Sequence, residues 1–167
     1  RGAGGPPEVG GRLLPFLAAL PQPKIKVIIL KGCSLGELLY QDLSLRPMKD
    51  VDILVRKSDW PEIERTLNKL GFKNKLGLNL LKLDSLAGIP VDWQVDYWNS
   101  RGIKLEPKFN IFILDFPDFV KLDDYWEQAV PVKVAGEEAL SLCVEDQLLH
   151  LACRLISAGF RNLLWFC

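Results

Sequence analysis

Histidine is almost missing from this chain. One is present in 167 residues, His150, and the four cysteines Cys33, Cys143, Cys153 and Cys167 form no C-x-x-C pair. A structural zinc site needs four nitrogen or sulfur ligands at close spacing, and this set does not supply them. A disulfide scaffold is not expected either. A chain of this length buries roughly two-thirds of its unfolded surface without staples, so the thiols read as reduced and the compartment as cytoplasmic. Net charge is absent too: 21 Lys and Arg balance 21 Asp and Glu. That excludes gripping nucleic acid by bulk charge, though not a local basic patch. No apolar run approaches about 18 residues, so no membrane-spanning helix is expected. What is there, 49% hydrophobic and 25% charged residues, is the composition of a folded domain and not of a disordered one.

Arg1 to Arg12 carry five glycines and two prolines and read as a loose leader, residues 1–12. Both ends read as cut: the first residue is Arg, and the last, Leu163 to Cys167, are apolar and carry no stop signal. Leu13 to Leu20 suits a short helix, interrupted by Pro15, that covers the core. Ile25 to Leu30 is β-branched and apolar, a buried strand, and it ends in the small-residue corner Lys31-Gly32-Cys33-Ser34. Asp50 to Val55 has a period of two, with Val51, Ile53 and Val55 facing one way and Asp50, Asp52 and Leu54 the other. Ser58 to Glu62 signals a helix start, with Asp59 as cap and Glu62 as its capping-box partner, and Gly71 ends that helix. Phe72 to Asp84 looks extended. Val91 to Asp96 is a second alternating strand, with Asp92, Gln94 and Asp96 on one face. Trp98 to Pro107 is polar and reads as loop, and Phe109 to Phe116 as strand or irregular chain. Val130 to Val134 is a short strand followed by a turn. Val144, Leu148, Leu149, Ala152, Leu155 and Ile156 recur at helical spacing, and Gly159 closes that helix. The expected fold is α+β, a mixed sheet packed by helices, with a core at 13–135 and a C-terminal helical segment at 136–167.

Asp50 and Asp52 carry the first chemical signal. Carboxylates at i and i+2 on a strand share a side and raise one another's proton affinity, a cost that a divalent cation removes. Mg²⁺ suits such oxygen donors. A solvated strand face is the other reading, and the apolar run Ile53-Leu54-Val55 that follows favours a site. Asp92 or Asp96 offers a third carboxylate if its strand pairs beside the first, and three carboxylates can hold two metal ions for phosphoryl transfer. Lys31, Gly32, Cys33 and Ser34 follow a strand and open toward a helix, where free backbone N–H groups and the Ser34 hydroxyl suit a phosphate. They are not a P-loop, since G-x-x-x-x-G-K-[ST] is absent. Arg46 can fork onto a phosphate or make a structural ion pair. His150 reads as a packing or hydrogen-bonding residue.

The string Leu30-Lys31-Gly32-Cys33-Ser34-Leu35, then Tyr40, Arg46 and Asp50-Val51-Asp52-Ile53-Leu54-Val55, resembles the uncharacterised nucleotidyltransferase family of the DNA polymerase beta superfamily. Leu70-Gly71-Phe72, Val91-Asp92-Trp93-Gln94 and Leu142 to Leu151 are similar to later segments of the same family. The resemblance implies a polymerase beta-like nucleotidyltransferase core. It implies that Asp50, Asp52 and Asp92 are catalytic and hold Mg²⁺, two ions in all. Lys31, Gly32, Cys33, Ser34 and Arg46 would then meet the nucleotide, and Asp92 would help activate the acceptor hydroxyl. The expected reaction moves a nucleoside monophosphate from an NTP to a protein, RNA or small-molecule acceptor and releases pyrophosphate. The chain departs from the family at Cys33, at Gln94 and at Arg154, the last two standing where members carry histidine. A non-catalytic binding or regulatory protein on the same fold is the alternative, and a metal-dependent phosphohydrolase a third reading.

Overall fold

Alternation over Asp50–Val55 gives one strand two chemically different sides, and the fold is arranged around that split. The computed structural model of the chain describes residues 10–21, 25–35, 50–74, 95–100, 102–111, 121–134, 136–157 and 159. Its helices are α1 (Gly10–Ala19), α2 (Lys31–Leu35), α3 (Trp60–Lys69), α4 (Leu122–Gln128) and α5 (Val144–Ser157). Its strands are β1 (Ile28–Ile29), β2 (Asp50–Leu54), β3 (Lys73–Asn74), β4 (Tyr97–Trp98), β5 (Lys104–Lys108), β6 (Val130–Val134) and β7 (Glu137–Ser141). They form one mixed sheet in the order β3-β4-β5-β2-β1-β7-β6. β2 pairs antiparallel with β1 and parallel with β5, and β1 pairs parallel with β7.

Val51, Ile53 and Val55 pack with Leu13, Phe16 and Leu17 of α1 and with Trp60, Ile63 and Leu67 of α3. Leu54 packs on the opposite side with Ile28, Leu30, Leu142 and the α4 residues Tyr125 and Trp126. Leu13, Phe16 and Leu17 fall at i, i+3, i+4 and Trp60, Ile63 and Leu67 at i, i+3, i+7, spacings that lay one apolar face on a sheet. The sheet is thus covered on two sides, and Asp50 and Asp52 share the α4 side with Leu54. No described helix is long and apolar enough to cross a membrane.

Several local expectations need correction. α1 begins at Gly10, inside the stretch read as leader. Asp59 makes no side-chain cap bond. A 3-10 turn over Lys57–Asp59 leads into α3, and Glu62 pairs instead with Arg65. Residues 137–141, placed by sequence in the C-terminal helical segment, form β7, two strands from β2. The stretch read as a polar loop, Trp98 to Pro107, contains most of β5, an interior strand. Pro107 obscures it: Val95 N–H donates to the Pro107 carbonyl at 2.9 Å, but proline has no N–H to return. Pairing between β4 and β5 accordingly ends at Tyr97↔Leu105.

Tyr97 anchors that end of the sheet. It is fully buried, stacks edge-on to Trp60 at 5.9 Å between ring centroids, and its hydroxyl donates to Glu64 Oε1 at 2.8 Å. Glu64 is itself 1% exposed, so removing this donor strips a buried acid of a partner. Tyr97→Phe is expected to lower stability by about 1–3 kcal/mol, the cost of taking a partner from a buried polar group. Urea unfolding with an unchanged m-value would register the loss, and a change below about 0.5 kcal/mol would contradict it.

Candidate functional site

β1 and β2 run antiparallel, and Leu30 N–H donates to the Asp52 carbonyl at 3.0 Å. The next residue, Lys31, therefore starts α2 beside Asp52. Its backbone is left-handed (φ 51°), unusual for a residue with a side chain. Local strain of this kind persists where the surroundings hold it, and here the Lys31 Nζ lies 2.9 Å from Asp52 Oδ1.

The parallel β2–β5 register sets Asp50 opposite Lys104, Asp52 opposite Glu106 and Leu54 opposite Lys108. Period two puts Lys104, Glu106 and Lys108 on the same face as Asp50 and Asp52. Lys108 Nζ donates to Asp52 Oδ1 at 3.0 Å and to Glu106 Oε2 at 3.1 Å. Lys104 bonds Glu106 and reaches Asp96 Oδ2 at 3.2 Å. The result is a continuous chain of alternating charge: Lys31, Asp52, Lys108, Glu106, Lys104, Asp96. The side chains of Lys108 and Asp52 are 3% and 6% exposed. Buried charges at this depth persist only when paired, as these are.

Burial alone would raise the Asp52 pKa, but the Lys31 and Lys108 charges outweigh it and hold the carboxyl well below its usual range. Burial pushes Lys31 down despite Asp52, with Lys108 and Arg154 adding to the fall. Burial raises Glu106 and the Asp52 charge adds to it, against the pull of Lys104 and Lys108. Burial would lower Lys104, yet its bonds to Glu106 and Asp96 hold it above its ordinary value.

α5 closes the cluster. Its buried face is Gln147, His150 and Leu151, whereas Leu148 and Leu149, read from sequence as part of the apolar face, are 62% and 45% exposed. His150 is 2% exposed, and neither ring nitrogen has a hydrogen-bond partner among the described residues. Burial and the nearby Lys31 charge, with Arg154 and Lys108 adding, push its pKa down to about 3 against the pull of Asp52. The imidazole is neutral.

Asp50, Asp52 and Lys31 thus meet on one side of the sheet, with Asp50 half-buried at the start of β2. Gly32 follows Lys31 in α2 and is half-buried. The Cys33 side chain is in the opposite core cluster with Val51 and Ile53. Ser34 is fully buried and its hydroxyl lies 2.6 Å from that of Ser141, which also accepts a bond from Gln147 Nε2 at 3.0 Å. The hydroxyl that the sequence offers to a phosphate is therefore engaged in tying α2 to β7 and α5. Asp92 and Arg46 lie outside the described residues.

Sequence reasoning missed Glu106, Lys104 and Lys108. The signal was present: Lys104, Glu106 and Lys108 alternate with Leu105, Pro107 and Phe109. Among the described residues no group of three or more His, Cys, Asp or Glu is placed to hold a metal ion. The donor chemistry nonetheless suits Mg²⁺, since Asp50 and Asp52 present carboxylate oxygens on one face. In this structure the Asp52 carboxylate is neutralised by two ammonium groups, those of Lys31 and Lys108.

The sequence matches the family described as uncharacterised nucleotidyltransferase over residues 13–167. A search of curated proteins found no match. Among solved structures, the antibiotic-resistance factor ANT(2'')-Ia superposes with a TM-score of 0.61 at 13% identity, covering 89% of this chain and 72% of that one. TM1012 of Thermotoga maritima, described as a nucleotidyltransferase, superposes at 0.54 with 19% identity, covering 91% of this chain and 89% of that one. At these identities the likeness establishes a shared fold.

Proposed function

Because this chain belongs to the uncharacterised nucleotidyltransferase family and has its polymerase beta-like fold, we propose that it moves a nucleoside monophosphate from an NTP to a hydroxyl-bearing acceptor. The acceptor oxygen forms a bond to the α-phosphorus while the bond from that phosphorus to the pyrophosphate oxygen breaks. The hydroxyl proton passes to a carboxylate, in this reading Asp92, and pyrophosphate leaves. Asp50, Asp52 and Asp92 are the residues that would hold Mg²⁺. Bound there, the two ions supply neutralisation of charge on the phosphoryl oxygens. Lys31, the backbone of Gly32, Cys33 and Ser34, and Arg46 would orient the triphosphate, Lys31 as a point charge and Arg46 as a planar fork.

The observation that carries this reading is Asp52, buried on β2 and sharing its face with Asp50, beside the left-handed entry into α2 that delivers Lys31. The acceptor, whether protein, RNA or small molecule, is to be found by incubating the protein with each α-labelled NTP, Mg²⁺ and a cell extract. Transfer of label with release of pyrophosphate, lost in Asp52→Asn, is expected. Release of inorganic phosphate would mark a phosphohydrolase instead. The second reading, a non-catalytic nucleotide-binding protein, draws on the two lysines that already neutralise Asp52. Its outcome is an NTP-dependent rise in thermal stability with no labelled product from any NTP.

A further inference from the structure

The oxygen Asp52 Oδ1 accepts from two ammonium groups, Lys31 at 2.9 Å and Lys108 at 3.0 Å. A divalent cation that uses this carboxylate meets one oxygen already taken and two like charges beside it. The lysines are not equivalent. Lys31 is 17% exposed and, among the described residues, pairs with the single carboxylate of Asp52. Lys108 is 3% exposed and spans two, with Glu106 Oε2 at 3.1 Å. It can release Asp52 and remain paired, so it needs no path to solvent. Glu106 in turn is held in place by Lys104.

We infer that Lys108 is the resident counter-ion of Asp52, displaced onto Glu106 when a divalent cation loads, so that metal binding here is an exchange and not an addition. Lys108 is then a positioning residue that sets the metal affinity of the site, and Glu106 is its alternate dock. The inference rests on the proposed function only in taking Asp52 as a metal-binding carboxylate.

Mn²⁺ titration of the full chain, followed by loss of the free-ion EPR signal, tests this without any turnover. Lys108→Met should bind Mn²⁺ about tenfold or more tightly than the unaltered protein, since a buried competing charge is gone. Glu106→Gln should bind more weakly, because the dock is lost. Lys69→Met removes the same charge from the exposed last turn of α3, on the other side of the sheet, and should change affinity by less than about twofold. Equal affinity in Lys108→Met and the unaltered protein, or an equal gain in Lys69→Met, overturns the inference. If Lys108→Met fails to fold by circular dichroism, the unaltered protein decides. Its Lys108 ammonium ¹⁵N resonance should shift on Mg²⁺ addition more than that of Lys104, and no such difference at saturation overturns the exchange. Tighter Mn²⁺ binding by Lys108→Met without any labelled product would sink the catalytic reading alone. Labelled product with unchanged Mn²⁺ affinity in that variant would sink this inference alone.

Discussion

Asp52→Asn is expected to lower the stability of the protein by about 3–5 kcal/mol, the cost of breaking a buried ion pair by removing one partner. The amide keeps the shape of the side chain and removes its charge. Lys31 and Lys108, which both point at Asp52 Oδ1, then face each other with no anion between them. Glu106 can satisfy Lys108 alone, and Lys31 is left to find water through its 17% exposed side chain. The large cost belongs to the uncompensated charge and not to the lost attraction. Asp52→Asn combined with Lys108→Met should therefore recover about half of the loss, a coupling that additive sites would not give. Equilibrium urea unfolding of the two single variants and the double variant measures it. A double variant whose loss equals the sum of the single losses would refute the charge-chain account. The same substitution is expected to abolish nucleotidyl transfer, and the stability measurement separates that effect from unfolding, because activity at low denaturant can be compared at equal folded fraction.

The strand that carries Asp52 was legible because its alternation is clean: apolar Val51, Ile53 and Val55 on one side, acids on the other. The helices α3 and α5 were legible for the same reason at a period of 3.6, and Gly71 and Gly159 at their ends adopt the left-handed backbone (φ 78° and 60°) that glycine permits. β5 was hidden because its buried face is charged. A row of Lys104, Glu106 and Lys108 looks solvated until its partners on β2 and at Asp96 are known, and the β2 partners come from a parallel pairing some 50 residues apart in sequence. The polar reading of residues 98–107 thus failed on long-range charge compensation: the local alternation marks a strand, and only the pairing shows that its charged side is buried. The face of α5 was misjudged for a related reason. Leu148 and Leu149 look like the inner stripe, yet the inner stripe contains Gln147 and His150, because the surface they meet is the polar end of the sheet at Ser141, Lys31 and Asp52. Ser34 illustrates the converse. A hydroxyl after a glycine turn suits a phosphate, but burial next to Ser141 gives it a structural partner first.

His150→Phe should leave the protein at least as stable as before at pH 7 and about 2 kcal/mol more stable than the unaltered chain at pH 5. The folded-state pKa of His150 is pushed to about 3 from an ordinary value of 6.5. A histidine depressed in this way is neutral in the folded chain and charged in the unfolded one between those values. The unfolded state then binds more protons, so stability falls as the pH falls, beginning near 6.5 and continuing toward 3, with a slope approaching about 1.4 kcal/mol per pH unit. Asp52 acts in a lower window. Its carboxyl is held below the ordinary 3.8, so its contribution is complete above that value and lost only below it. Glu106 has the opposite sign. Its pKa is raised above 4.5, so the folded state takes up that proton first, and stability from this group grows as the pH falls through its folded value. The difference between the two proteins cancels both carboxylates and isolates the imidazole. Phenylalanine replaces the imidazole with a slightly larger apolar ring that takes up no proton, and because neither nitrogen of His150 bonds a described residue, it forfeits no hydrogen bond among them. Two curves of stability against pH that run parallel from 7 to 5 would mean that the folded protein accommodates the imidazolium, with Asp52 as its partner, and that α5 does not seal the charge chain from solvent.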